Sequence, residues 1–411
     1  MSTPITEQGS VPDVLAPARL GPVRLRNRTI KAATSEGLAP EGLVTDRLVE
    51  FHRAMAAGGI GMSTLAYCAV GPDGRSAQGQ IVMNRAALPG LRRLTDAVHA
   101  EGAAVSAQLG HAGPVADVRT NGVPALAPGK LFSLVNLRNS RPATPDDIER
   151  VVQAHVDAAL LAEEAGFDAV ELHMGHHYFI SSFLSPKLNK RTDGYGGTLE
   201  NRARVARAVA RRVYDAVGGR LAVIGKINMD DGVPGGIWLD EAIETARLLD
   251  GDGFLDALEL TVGSSLYNQM YLFRGDVPVR EFAEVMPQPV KAGVRLFGKS
   301  VMHEYPYRPL FMLDQARQFV GAVQTPLVLL GGVTDRAGMD RGMAEGFGFV
   351  ALGRALLREP DLINRIGSDP GKTSLCIHCN KCMPTVYTGT RCVLTEAPGA
   401  GRGGSPDAGG R

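Results

Sequence analysis

The chain has 411 residues, an apolar content of 44% and a formal net charge of +1, enough for one large α/β barrel or two ordinary domains with a substantial core. A balance so near neutrality argues against nucleic acid or an acidic macromolecule as partner. Residues 1–15 lack the basic start and apolar stretch of a signal peptide, and no apolar run reaches spanning length, so the expectation is a cytoplasmic protein with no membrane partner.

Strand-like apolar runs alternate with amphipathic helical runs from residue 29 to residue 366. The predicted strands are 29–34, 60–66, 103–109, 167–172, 222–228, 255–261, 326–330 and 347–352. The predicted helices are 46–57, 87–100, 145–164, 199–217, 239–249, 311–320, 336–345 and 355–366. The strands are β-branched and aliphatic without strict alternation, which fits burial on both faces. Eight β-then-α units in a row point to an α/β fold, a (β/α)8 TIM barrel, in preference to an open doubly wound sheet. Residues 1–13 read as a flexible tail, 14–370 as the barrel, 371–396 as a Cys-rich extension and 397–411 as a disordered tail. That last tail contains Gly399-Ala400-Gly401-Arg402-Gly403-Gly404, the spacing of a dinucleotide fingerprint, but no strand precedes it and no helix follows.

After the sixth strand comes a long insertion, residues 263–309, with no clear helix before residue 311. Tyr267, Tyr271, Phe273, Tyr305 and Tyr307 argue for order, because aromatic side chains favour packing. The segment reads either as an active-site cap or as an excursion covering the barrel side.

Side chains at the C-terminal ends of barrel strands face the mouth where ligands bind. The third predicted strand ends near Gln108, whose amide offers a donor and an acceptor to a ring edge, or simply satisfies buried backbone. The fourth runs into His173-Met174-Gly175-His176-His177-Tyr178. Neutral imidazoles at His173 and His176 can polarise a carbonyl oxygen, and the Tyr178 phenol can protonate a carbon. A His-x-x-His metal site is the alternative, although the segment offers no third ligand. His111 and His177 read as satisfied core or rim histidines. Lys226 interrupts an apolar strand, which is costly unless it is paired or faces an anion. It could stabilise negative charge on a reduced flavin, pair with Glu171 or Glu259, or form a Schiff base. The seventh strand ends in Gly331-Gly332 and the eighth in Gly353-Arg354, the two loops that often make a phosphate site in barrels. With no separate Rossmann unit for an adenosine half, the mononucleotide FMN fits better than FAD.

With these residues the chain resembles the old yellow enzyme family of FMN-dependent ene-reductases, over roughly residues 14–366. The run from His173 to Arg202, with Phe183-Leu184-Ser185-Pro186 and Arg191-Thr192-Asp193-Gly194-Tyr195-Gly196-Gly197, carries most of the likeness. Arg26-Asn27-Arg28, Gln108 and the two phosphate loops agree in order and spacing. The resemblance implies FMN at the barrel mouth, with Ala32, Ala33, Thr34 and Ser35 beside the flavin and Gln108 and Lys226 on its ring. It implies that His173 and His176 bind the substrate oxygen and that Tyr178 donates the proton. Lys226 stands where many relatives carry arginine, Ser35 where some carry a redox-tuning cysteine, and His177 where glycine is usual, which reshapes the pocket beside Tyr178. The implied reaction is ping-pong: NAD(P)H reduces FMN, and a hydride from flavin N5 then reduces the C=C bond of an α,β-unsaturated carbonyl. The alternative is a flavin-dependent dehydrogenase or demethylase, or a dienoyl-type reductase passing electrons through an iron–sulfur cluster. Barrels of this type commonly pair, so a homodimer is compatible.

Four of the five cysteines, Cys376, Cys379, Cys382 and Cys392, crowd into the extension. They resemble the iron–sulfur segment of the dienoyl-CoA reductase branch, which typically has one more residue between its second and third cysteines and continues into a large FAD and NADPH domain. A [4Fe–4S] cluster, a zinc ion and free or redox-active thiols are the three readings. Cys68, near the second strand, reads as core packing.

Overall fold

A computed structural model describes residues 11–133, 136, 138–286 and 288–395. The expected tails therefore lie outside the described residues, apart from residues 11–13. Eight parallel strands close a barrel: β1 (Thr29–Lys31), β2 (Met62–Ala69), β3 (Ala104–Gly110), β4 (Ala169–Met174), β5 (Ala222–Asp230), β6 (Ala257–Val262), β7 (Leu327–Leu329) and β8 (Phe349–Leu352). Each pairs with the next in chain order, and β8 pairs with β1 to complete the ring. The fold is a (β/α)8 TIM barrel.

The helices around it form where the sequence carries both start signals and an apolar stripe. Helix α1 (Asp46–Ala57) starts at Thr45, whose side chain accepts from the Leu48 N–H. Next come α2 (Leu88–Ala100) and α3 (Pro145–Glu164), the latter opened by a capping box between Thr144 and Asp147 with Pro145 at its first position. Helix α4 (Leu199–Val217) is capped by Thr198 and α5 (Leu239–Asp252) ends at the left-handed Gly253.

Both faces of the strands are buried, yet the side chains alternate in kind. Val170, Leu172 and Met174 of β4, with Val223 and Ile227 of β5, pack outward against the helices. Ala169, Ala222, Ile224, Ala257, Val328, Phe349 and Ala351 turn inward and fill the lower barrel. That end is closed by an N-terminal hairpin, Ala18–Leu20 with Val23–Leu25, which adds Leu20 and Leu25 to the inner cluster. Alternation is masked in the sequence because alanine and valine serve both faces.

Two expectations need correction. The insertion contains helices, α6 (Val279–Val285) and α7 (Val290–Val301). Two glycines and three valines give α7 weak intrinsic propensity, which hid it. The helix expected over 355–366 is two short ones, α8 (Arg354–Arg358) and α9 (Leu362–Ser368), separated around Pro360.

Phe349 is almost completely buried in the barrel interior. Phe349→Ala should therefore destabilise the protein by about 3–5 kcal/mol, read as a lower denaturant midpoint at unchanged slope.

Candidate active site

Above the inner apolar layer the same alternation delivers polar side chains. In β3, β4, β5 and β6 the inward positions continue to Gln108, to Glu171 and His173, to Lys226 and Asn228, and to Glu259 and Thr261. Register sets Glu171 beside Gln108, His173 beside Lys226 and Lys226 beside Glu259. Lys226 Nζ lies 2.6 Å from Glu259 and 3.8 Å from Glu171, and Gln108 Nε2 donates to Glu171 at 2.6 Å. Burial alone would push the ammonium down, but the two carboxylates outweigh it and raise Lys226, so it stays charged. The salt-bridge reading of Lys226 is present in the structure, and the same side chain also lines the cavity above it.

That cavity, about 330 Å³ at the barrel mouth, is bordered by Ala32, Ala33, Thr34, Ser35, Gln108, His173, His176, Tyr178, Lys226, Gly331, Gly332, Gly353 and Arg354. Every residue singled out for the flavin and its chemistry thus borders one cavity. The His173 and His176 rings are 5.1 Å apart, and Tyr178 lies 4.4 Å from His173. Burial holds both imidazoles neutral, pushing His176 down to about 3 and His173 well below its ordinary range. His176 Nε2 is 3.0 Å from Thr261 Oγ1. His173 Nδ1 is buried without a hydrogen-bond partner, an orphan that a polar ligand would satisfy. Burial raises the Tyr178 phenol, so it remains protonated at neutral pH.

The turn after β4 is held rigidly. His176 and His177 both adopt positive φ, 59° and 62°, a conformation that non-glycine residues reach only under constraint. The Asn228 side chain accepts from the His176 N–H at 3.1 Å and donates to the Gly263 carbonyl at 2.8 Å. His177 turns into the protein, 2.7 Å from Ser264 Oγ and 2.9 Å from Asp231. It does not border the cavity, so it acts on the pocket through the turn it anchors.

The phosphate loops suit close backbone approach. Gly332 has φ of 80°, and a Cβ there would sit 2.7 Å from the Leu310 nitrogen. Arg354 Nη1 donates to the Arg274 carbonyl at 3.0 Å and to the Asn380 side chain. Glycine backbone, a buried guanidinium, an amide and an ammonium are a donor set that fits FMN, phosphate at one end and ring at the other. The insertion forms part of the cap, contributing Ser265, Gln269, Leu272, Phe273 and Phe282 to the cavity.

Cys376, Cys379, Cys382 and Cys392 border a second, small cavity beside Arg354, and Cys382 borders both. Burial pushes the Cys382 thiol up to about 12 and raises Cys376 as well. Among the described residues no three His, Cys, Asp or Glu side chains lie close enough to hold one metal ion. Four thiols around one cavity remain compatible with the wider iron–sulfur cube. Cys68 is buried in the core, as expected.

The sequence reading missed Tyr67, Ser76 and Gln80 on the same wall, and the buried Lys31–Glu36 pair below it. Lys31 carried the same signal as Lys226, a charge inside an apolar strand. Ser76 and Gln80 lie in an irregular loop and carried none.

The profile of the NADH:flavin oxidoreductase / NADH oxidase family matches residues 13–254. The chain belongs to that family, and it is an FMN-linked oxidoreductase with NADH- and NADPH-linked homologues. A 4,4'-dithiodibutanoate disulfide reductase of Rhodococcus erythropolis is 50% identical over 94% of this chain and 96% of its own length. A metal reductase of Desulforamulus reducens is 31% identical over 84% of this chain, which spans 47% of that protein. Among solved structures, a 2-naphthoyl-CoA reductase aligns with a TM-score of 0.79 at 26% identity, covering 92% of this chain and 55% of its own. The old yellow enzyme homologue of Zymomonas mobilis aligns at 0.70 and 22% identity, covering 93% and 100%, a likeness of fold. The chain thus spans about half the length of the metal reductase and the naphthoyl-CoA reductase.

Two predictions follow from the electrostatics. Lys226→Met leaves Glu259 buried without its cation, beside Glu171, which burial already pushes up to about 8. It should cost about 3–5 kcal/mol at neutral pH and release FMN, read by denaturant unfolding and flavin fluorescence. His176 titrates near 6.5 when unfolded but near 3 when folded. The unfolded chain therefore binds more protons between those values, and stability falls as pH drops through that window. The His176→Gln profile of melting temperature against pH should run parallel to the parent above 6.5 and fall less steeply below it.

Proposed function

We propose that this chain is an NAD(P)H-dependent FMN reductase acting on small electrophiles, with the C=C bond of an α,β-unsaturated carbonyl as the acceptor its geometry suits best. The observation that carries this is the cluster of two neutral imidazoles and one protonated phenol on one cavity wall. Bound FMN would take a hydride from NAD(P)H and supply it to the acceptor.

The chain's own residues do the rest. Gln108 and Lys226 would hold the flavin ring edge, with positive charge where the reduced ring is negative. Ala32 and Ala33 would lie against the ring through their backbone, and Thr34 and Ser35 would offer hydroxyls that tune it. Gly331, Gly332, Gly353 and Arg354 would hold the phosphate. His173 and His176 would donate to the acceptor oxygen as negative charge develops there, and being neutral they lose no proton in binding it. Tyr178 would pass its phenolic proton to the α-carbon. Cys376, Cys379, Cys382 and Cys392 would hold a [4Fe–4S] cluster beside Arg354.

A second reading, reduction of a small organic disulfide, is favoured by the nearly full-length likeness to the 4,4'-dithiodibutanoate disulfide reductase. Here one hydride and one proton convert the disulfide to two thiols, and the Tyr178 proton goes to the leaving sulfur.

The test is anaerobic stopped-flow with FMN-loaded protein. After reduction by NADPH or NADH, flavin colour should return on mixing with a cyclic enone. Return with 4,4'-dithiodibutanoate alone would select the disulfide reading, and return with neither would reject both. Tyr178→Phe should slow this second half-reaction by about 10²-fold or more while leaving reduction by NAD(P)H nearly unchanged. Equal loss in both halves would remove Tyr178 as the proton donor.

A further inference from the structure

Two side chains with no role above converge on Tyr178. Ser76 Oγ lies 3.2 Å from the Tyr178 hydroxyl, and Gln80 Nε2 donates to the same serine oxygen at 2.8 Å. Gln80 is buried, and its amide has one orientation. Its Oε1 accepts from the backbone N–H groups of Ser76 at 2.7 Å and Ala77 at 3.2 Å, which turns the NH2 group toward Ser76 and, at 3.3 Å, toward Ser35 Oγ. Ser35, Ser76, Gln80 and Tyr178 all border the cavity.

A serine hydroxyl has one proton and two acceptor lone pairs. Ser76 Oγ accepts from Gln80 Nε2, and either oxygen of the Ser76–Tyr178 pair can be the donor. In the arrangement in which Ser76 donates, the phenol oxygen accepts and the phenolic proton is free to face the cavity. The other titratable groups facing the phenol are His173, at 4.4 Å, Tyr67, at 5.3 Å, and Tyr387. Burial keeps all three uncharged at neutral pH. Hydroxyl groups, Ser76 and the cap residue Ser265, are what pull the phenol down against its burial. A phenolate at this place would therefore depend on hydrogen bonds, not on a neighbouring cation.

We propose that Gln80 and Ser76 are a positioning pair that aims the Tyr178 proton at the acceptor and stabilises the phenolate left behind. The inference rests on the proton-donor reading of Tyr178. As the acceptor receives its hydride, the Tyr178 O–H bond breaks and the new C–H bond forms, or S–H with a disulfide. The electron pair of the O–H bond stays on the phenolate oxygen, which Ser76 O–H holds until water returns a proton.

The experiment uses FMN-loaded protein with Ser76→Ala, Ser76→Thr and Tyr178→Phe, read in two ways. One readout is the acceptor-side rate with the enone. The other is titration of the Tyr178 Cζ resonance by NMR, assigned by its loss in Tyr178→Phe. Ser76→Ala should raise the phenol titration midpoint by about one pH unit and slow the acceptor side about tenfold, because a hydrogen bond to the charged form is lost. Its reduction by NAD(P)H should be unaltered, and Ser76→Thr, which keeps the hydroxyl, should restore both values. An unchanged midpoint in Ser76→Ala, or a Ser76→Thr variant as impaired as Ser76→Ala, would overturn the pairing. If Tyr178→Phe keeps the full acceptor-side rate, the donor reading of Tyr178 fails, and the proposal of an aimed proton is overturned with it even where the midpoint moves.

Discussion

The structure depends on one constraint, the two-residue repeat of a strand whose faces are both buried. Outward positions must meet helices and are mostly apolar, with exceptions such as Ser63, which bonds His52 of α1. Inward positions change character along each strand, from Ala169, Ala222 and Ala257 at the bottom to His173, Asn228 and Thr261 at the top. Neighbouring parallel strands share this gradient, so the polar ends meet in one layer without any of them being close in sequence. The apolar plug below excludes water, and everything polar above it must be satisfied by a neighbour or by a ligand.

Inside that layer the charges are arranged by what each can tolerate. Lys226 keeps its proton because two carboxylates share it, and Gln108 takes up part of the Glu171 hydrogen-bonding capacity. The imidazoles, with no carboxylate in contact, are neutral. A fixed positive charge under a pair of neutral donors and a protonated phenol suits a reaction that gathers negative charge and then a proton. Gln108, His173 and Lys226 are set in the cavity by strand register, whereas the rest of its mouth is bounded by Ser76 and Gln80 from a loop, by the insertion, and by Tyr387 from the Cys-rich segment.

That segment is attached to the Ser35–Glu36 stretch after β1 by hydrogen bonds. Thr390 Oγ1 donates to the Ser35 carbonyl at 2.7 Å, and its N–H donates to the Glu36 carbonyl at 2.7 Å. Asn380 takes a bond from Arg354 and gives others to the Phe273 and Asp276 carbonyls. The Cys-rich segment, Arg354 and the insertion are thus joined by hydrogen bonds. Whatever binds the thiols bears on the shape of the mouth.

The barrel was legible in the sequence because eight β/α units repeat with caps that can be read locally, such as Thr45, Thr144 and Thr198. The positions of His173, His176, Tyr178 and Lys226 were legible because polar residues at the ends of apolar strands are conspicuous. Helix α7 was not, since its propensity is weak and contacts with the rest of the fold decide it. Nor could the sequence say that His177 faces inward, that Lys226 is flanked by two carboxylates while bordering the cavity, or that Ser76 and Gln80 reach Tyr178. The sequence by itself determined the fold and the family and showed which strands end in polar groups, because periodicity and local motifs are short-range properties. Tertiary structure alone decided which of those groups touch, because register and loop closure join residues that lie about a hundred positions apart, as Ser76 and Tyr178 do.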